Sequence, residues 1–218
     1  MFIQDNIVGT FNLLEAARKF EQLELFYYFS TDEVFGPSER DTQFQEWDRY
    51  NSKNPYAATK AAGEELTIAF SNTYSIPSLI SHCCNVYGER QHSEKFIPNT
   101  IKKILNDEKV IIHTDENNVP GSRYYLHNED LAETILFLLN NYKLVMSESE
   151  KLFSKKPAKV NITGNSLISN LEVVQKVESI LNKEVEHVLL NNDPERPGHD
   201  IKYGLDNAFL KQIGGEHD

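Results

Sequence analysis

The chain has no glycine-rich phosphate-binding turn ahead of its most suggestive residues. Of its 10 glycines only Gly9 precedes Gly36, so no G-x-G-x-x-G can lie upstream of that point. Its 2 cysteines, Cys83 and Cys84, are adjacent and cannot build a disulfide framework, which favours a reducing compartment; a cytoplasmic setting is expected. Lys/Arg-rich runs are lacking, and a formal charge of −11 argues against a nucleic-acid surface while permitting a local phosphate site. No apolar run reaches membrane length, and the opening MFIQDNIVGTFNLLEAARK has no basic segment before an apolar one. Neither a membrane span nor a signal peptide is therefore expected. The 7 histidines show no compact metal spacing, so no metal is expected. Internal repeats and low-complexity tracts are also missing. Asn161-Ile162-Thr163 formally matches a glycosylation acceptor, and chance accounts for it better than secretion.

What is present suits a globular α/β protein. With 218 residues, 39% of them apolar, the chain can bury a core in one domain or one domain plus a small appendage. Ile7, Phe11, Leu14 and Arg18 recur at helical spacing, predicting a helix over 5–19. The nearly continuous apolar run at 23–30 suits a strand buried on both faces of a parallel sheet. Further helices are expected at 56–74, 96–106, 128–142 and 170–181. Strands are expected at 77–84, 109–113, 159–163 and 185–190. In the helix at 128–142, Leu131, Ile135, Leu138 and Leu139 form the expected apolar side. The charged segment 147–157 reads as a surface connection, and the prolines and glycine of DPERPGHD fix a loop. This alternation indicates an α/β architecture.

Chemistry concentrates between residues 30 and 60. Tyr56 and Lys60 are four apart at the start of a helical segment and so share a face. A nearby ammonium favours the phenolate, making the pair a plausible base for a hydroxyl whose carbon loses a hydride. The same spacing occurs on ordinary helix surfaces. A strand ending at Ser30 lets strand-end groups meet that helix in a cleft. Asp32 and Glu33 follow the strand; as a bland pair they cap a turn, and as a functional pair they divide acid and base between them. Thr31 can donate a hydrogen bond to a substrate oxygen. Tyr27, Tyr28, Tyr124 and Tyr125 read as packing groups rather than ligand platforms.

STDEVFG, NPYAATKAAGE, CNVYGERQHSEKFIP and RPGHDIKY, in that order, resemble the nucleotide-sugar 4,6-dehydratases of the extended short-chain dehydrogenase/reductase family, most nearly the dTDP-glucose enzymes. The resemblance runs from about Asp5 to Gly215. It implies a partial Rossmann-like parallel sheet, without its N-terminal units, joined to a smaller mixed α/β substrate-binding region. Residues 1–84 would end the NAD domain and carry the catalytic groups, and 85–218 would interleave remaining Rossmann elements with the sugar-nucleotide region.

By the same resemblance NAD is the cofactor and a nucleotide-diphosphate hexose the substrate. Tyr56 would take the C4 hydroxyl proton, with Lys60 tuning it and holding the nicotinamide ribose, and Thr31 would bond the C4 oxygen. Glu33 would remove the C5 proton while Asp32 protonates the departing C6 hydroxyl. Asn85 would face the sugar diphosphate, Glu94 and Lys95 sit in the matching E-K-x-I-P segment with a substrate-binding role, Arg123 and Arg196 would clamp the pyrophosphate, and His199 and Tyr203 belong to the C-terminal substrate loop. Related epimerases and decarboxylases share the tyrosine and lysine but usually lack Thr-Asp-Glu, so Asp32 discriminates among them. The first βαβ units of the family, with most of the NAD cradle, have no counterpart here, and a separate N-terminal polypeptide could supply them. A homodimer through helices near 5–19 and 56–74 is also implied. The segment 113–125 is longer than the family's turn and leaves dTDP or UDP open. A sugar-nucleotide-binding remnant without catalysis is the competing reading.

Overall fold

The computed structural model describes residues 1–38, 42–191 and 204–215. A π-helical stretch, Ile3–Val8, runs into α1 (Gly9–Ala17), followed by β1 (Phe26–Thr31), α2 (Pro55–Tyr74) and β2 (Ser78–Cys83). Next come β3 (Val86–Tyr87), α3 (Phe96–Leu105), β4 (Val110–Thr114), β5 (Ser122–Tyr124) and β6 (Leu126–His127). The chain continues through α4 (Asn128–Asn140), α5 (Tyr142–Phe153), β7 (Ala158–Ile162), β8 (Leu167–Ser169), α6 (Asn170–Leu181), β9 (His187–Asn191) and α7 (Ala208–Gln212).

The principal sheet is parallel, in the order β1-β2-β7. Its register lines up Tyr27, Leu79 and Ala158 on one face, and Ser30, His82 and Asn161 on the other. The first face is apolar. Leu79, Ala158, Val160 and Ile162 join Leu138 of α4, Val145 of α5 and Phe209 and Leu210 of α7 in the largest core cluster. The second face is polar although equally buried: Ser30, His82, Lys159 and Asn161 all lie under the sheet's other cover, which includes α2. Leu14 of α1 and Phe70 of α2 form a separate cluster with Ile76. A smaller region pairs β4 with β9 in parallel and packs Ile104, Val110, Ile112 and Val174 between that pair and helices α3 and α6.

Three sequence expectations change. Residues 147–157 are not a plain surface connection, because α5 runs from Tyr142 to Phe153 and buries Val145 and Ser149 one turn apart. The small serine lets the helix approach its neighbours while the charged residues stay outside. In α4 the inner face is carried by Thr134 and Leu138, whereas Leu139 is exposed. β1 is not buried throughout, since Phe29 is 46% exposed. No described helix is long and apolar enough to cross a membrane. Asn161, in the formal glycosylation triplet, is wholly buried, and its amide donates to the carbonyls of Phe44 (2.8 Å) and Asp206 (3.0 Å).

Candidate active site

β1 ends at Thr31, whose extended backbone turns at once into the 3-10 turn Asp32–Phe35. Thr31 caps that turn: its Oγ1 accepts from the Glu33 amide (3.4 Å) and donates to Asp32 Oδ1 (3.1 Å). The Asp32 side chain is thereby turned inward, and among the described residues Oδ2 is buried without a hydrogen-bond partner. Burial, then the charge of Glu33, pushes the Asp32 carboxyl up to about 7, against the opposing influence of Arg123 and the Thr31 hydroxyl.

Glu33 is held differently. Its carboxylate accepts from Asn54 Nδ2 at 2.8 Å, while Asn54 Oδ1 accepts from the Ala57 amide at 2.8 Å. Asn54 is the N-cap of α2 and Pro55 its first residue, so one side chain ties the carboxylate to the start of the helix carrying Tyr56 and Lys60. Sequence reasoning passed over Asn54, although Asn before Pro at a helix start is a readable cap signal.

These groups border a cleft of about 330 Å³ at the C-terminal ends of β1 and β2, where parallel sheets characteristically bind ligands. Thr31, Asp32 and Glu33 line one side. Asn85, Lys95 and the largely buried Arg123, which donates Nη1 to the Ser122 carbonyl at 2.8 Å, also line it. Six of the expected residues thus meet around one space. Tyr56 and Lys60 are not among its lining residues but stand next to it on α2. Tyr56 meets Phe2 edge-on at 5.6 Å, and the Lys60 ammonium donates to the Phe29 carbonyl and lies 4.4 Å from the centre of the Tyr28 ring.

The expected lowering of the Tyr56 pKa is not what the structure gives. Burial, Glu33 and Asp32 all push the phenol upward, and burial lowers the pKa of Lys60 while Glu64 and Cys83 oppose that fall. Glu94 is exposed beside His92 (3.8 Å) and lies outside the cleft lining. Lys95 has extended backbone as the N-cap of α3, and in extended chain consecutive side chains face apart. Arg196, His199 and Tyr203 fall outside the described residues.

The structure adds lining residues to which the sequence reading gave no site role, including Gln91, His113, Tyr125 and Asn170. Tyr125, expected only to pack, donates its hydroxyl to Asn170 Oδ1 at 2.8 Å on the cleft wall. The long 113–125 segment closes on itself. Asp115 Oδ1 accepts from the Asn117 and Val119 amides at 2.9 and 2.8 Å, and the Gly121 amide returns to the His113 carbonyl at 3.2 Å.

A strand-end Thr-Asp-Glu set thus lies beside a helix bearing Tyr and Lys at one end of the parallel sheet. The sequence profile of the NAD dependent epimerase/dehydratase family matches residues 1–149, and the chain belongs to that family. The dTDP-glucose 4,6-dehydratase of Neisseria gonorrhoeae is 34% identical over 229 aligned residues, taking in 97% of this chain and 62% of the relative. The crystal structure of dTDP-glucose 4,6-dehydratase from Bacillus anthracis str. Ames, in complex with NAD, matches with a TM-score of 0.80 at 26% identity, over 95% of this chain and 60% of that one. DesIV of Streptomyces venezuelae, a dTDP-glucose 4,6-dehydratase with NAD and TYD bound, gives 0.81 and 25%, over 98% and 61%. The chain therefore spans about three fifths of the length of these relatives.

The residues present fit the reacting end of NAD. A phenol and an ammonium on one helix face, beside a parallel strand end, are suitable donors for a nicotinamide ribose. The remainder of the cofactor has no such match, since no two glycines in the whole sequence are two positions apart and a G-x-G turn cannot form.

Proposed function

We propose that this chain carries the catalytic and sugar-nucleotide-binding part of a nucleotide-sugar 4,6-dehydratase, acting on dTDP-glucose or a related NDP-hexose. The observation that carries this reading is the unlike treatment of two adjacent carboxyls: Asp32 buried and pushed up to about 7, Glu33 held by Asn54 at the mouth of α2. Elimination of the C6 hydroxyl needs an acid and a base at the same moment, and this pair offers one of each.

Tyr56 takes the proton of the C4 hydroxyl, and Thr31 hydrogen-bonds the same oxygen. Lys60 holds the ribose of the cofactor and offsets the negative charge on Tyr56. NAD, when bound, supplies reversible hydride acceptance, so that C4 is oxidised in transit and C6 reduced. With C4 a ketone, the C5 proton is acidic and passes to Glu33. Asp32 gives its proton to the C6 hydroxyl, which leaves as water. Asn85, Lys95 and Arg123 hold the diphosphate end in the cleft, a task suited to a rigid guanidinium fork. Arg196, His199 and Tyr203 belong to the same proposal on the sequence pattern alone, as does Glu94 despite its outward side chain.

The test is native mass spectrometry of the purified chain with NAD+ and dTDP-glucose, with analysis for a 4-keto-6-deoxy product. Bound NAD together with product supports the proposal. Binding of dTDP-glucose without NAD supports the second reading, a sugar-nucleotide-binding module. Binding of neither ligand overturns both. In an active preparation, Asp32→Asn should cut turnover by about 10²–10⁴-fold while C4 oxidation survives. Loss of both steps together would sink the assigned acid role.

A further inference from the structure

The polar face of the sheet contains charged groups that the proposed chemistry does not use. Glu64 lies on α2 one turn beyond Lys60 and is wholly buried. Its Oε1 accepts from the Ser30 hydroxyl of β1. Its Oε2 accepts from the Tyr50 hydroxyl and from Lys159 Nζ of β7 at 3.5 Å, and lies 3.0 Å from His82 Nε2 of β2. Lys159 also donates to the Tyr50 oxygen and faces the Trp47 and Tyr50 rings at 4.3 and 4.7 Å. One carboxylate thus joins every strand of the principal sheet, and the 42–50 segment, to α2.

The bond directions fix where one proton resides. The Asn161 amide nitrogen donates to two carbonyls, so its Oδ1 is the acceptor facing His82 Nδ1 at 2.8 Å. His82 Nδ1 must carry hydrogen. His82 Nε2 faces both Glu64 Oε2 at 3.0 Å and the Tyr50 hydroxyl at 3.4 Å. Burial works against ionisation of Glu64, but His82, Lys159 and Ser30 hold its carboxyl down to about 2.

We propose that Glu64 is a positioning residue for the Tyr56–Lys60 pair: by clamping α2 onto the polar face of the sheet through Ser30, Tyr50, His82 and Lys159, it fixes the helix face that presents both side chains and sets a negative charge one turn from Lys60. This rests on the roles given above to Tyr56 and Lys60. The groups facing Lys60 are Glu64 on its own helix, the Tyr28 ring and Phe29 carbonyl of β1, and Cys83 of β2. Glu65 and Lys155 also act on the cluster through Lys159, and Glu46 adjoins it through its bond from the Asn161 amide.

Nuclear magnetic resonance of the full chain tests this without substrate or cofactor. In 13C-lysine-labelled protein, with the Lys60 signal assigned by its loss in Lys60→Arg, the Lys60 midpoint should fall in Glu64→Gln and recover in Glu64→Asp. A folded Glu64→Gln with an unmoved Lys60 midpoint overturns it. Removing one member of a buried pair leaves the other charge uncompensated, so Glu64→Gln/Lys159→Met, which removes both, gives the same reading where the single variant does not fold. These signals are independent of turnover, so their appearance in a chain that makes no product would overturn the dehydratase proposal alone.

Discussion

Asp32 holds its proton to higher pH than an ordinary carboxyl because the fold leaves it little water and a carboxylate for a neighbour. The folded-state pKa of about 7 lies above the ordinary 3.8, so between those values the folded form binds more protons than the unfolded form. Stability from this group is fully present below the lower value and is lost as pH rises towards 7. Asp32→Asn should therefore match the parent near pH 4 and exceed it at pH 8, by on the order of 2–4 kcal/mol, as read by urea unfolding at both pH values. Asn54 permits a second test at this scale. Asn54→Ala loses a helix cap and should cost about 1–2 kcal/mol. Asn54→Asp can keep the cap while setting a like charge against Glu33, so its Tm should stay near that of the parent while turnover falls.

At the scale of elements, Gly164 follows β7 where its backbone passes that of Tyr125. A Cβ there would overlap the Tyr125 carbonyl oxygen, which is backbone and cannot rotate away. Gly164→Ala should cost about 1–3 kcal/mol by overpacking and displace the cleft wall, read as a lower Tm and weaker dTDP-glucose binding. The order of helices and strands was legible because apolar periodicity and the turn residues agreed, and the principal helices and strands fall close to their expected places. α5 was not, since its buried positions include Ser149 and its exposed ones are charged, which in sequence looks like a loop. Nor was the two-sided character of β7 apparent. Lys159 and Asn161 alternate with apolar residues as if facing water, yet they face Tyr50, Glu64 and His82. Several lining residues of the cleft, from Thr31 to Arg123, were picked out by motif, but the rest of its walls were not. His113, Tyr125 and Asn170 come from segments that only tertiary packing brings together.

For the molecule as a whole, α1 packs Leu14 inward but leaves Phe11 and Leu13 exposed, with Met1, Phe2 and Ile3 ahead of them. That apolar surface supports the homodimer expected through α1 and α2. Sedimentation should give a dimer for the parent and a monomer for Leu13→Glu; a parent that sediments as a monomer removes the expectation. Such a partner would reside beside Tyr56, which touches Phe2, so dimerisation and the chemistry of α2 are neighbours in space.

Cys83 and Cys84 are the chain's 2 cysteines, and both line the cleft at the end of β2. Burial pushes both thiols up to about 12. Alkylating reagents attack the thiolate, so at neutral pH the folded protein should label slowly and mainly when the sheet opens. The two sulfurs are thereby a built-in clock for local opening: their labelling rate measures how often the cleft floor comes apart, and a ligand that closes the cleft should slow it.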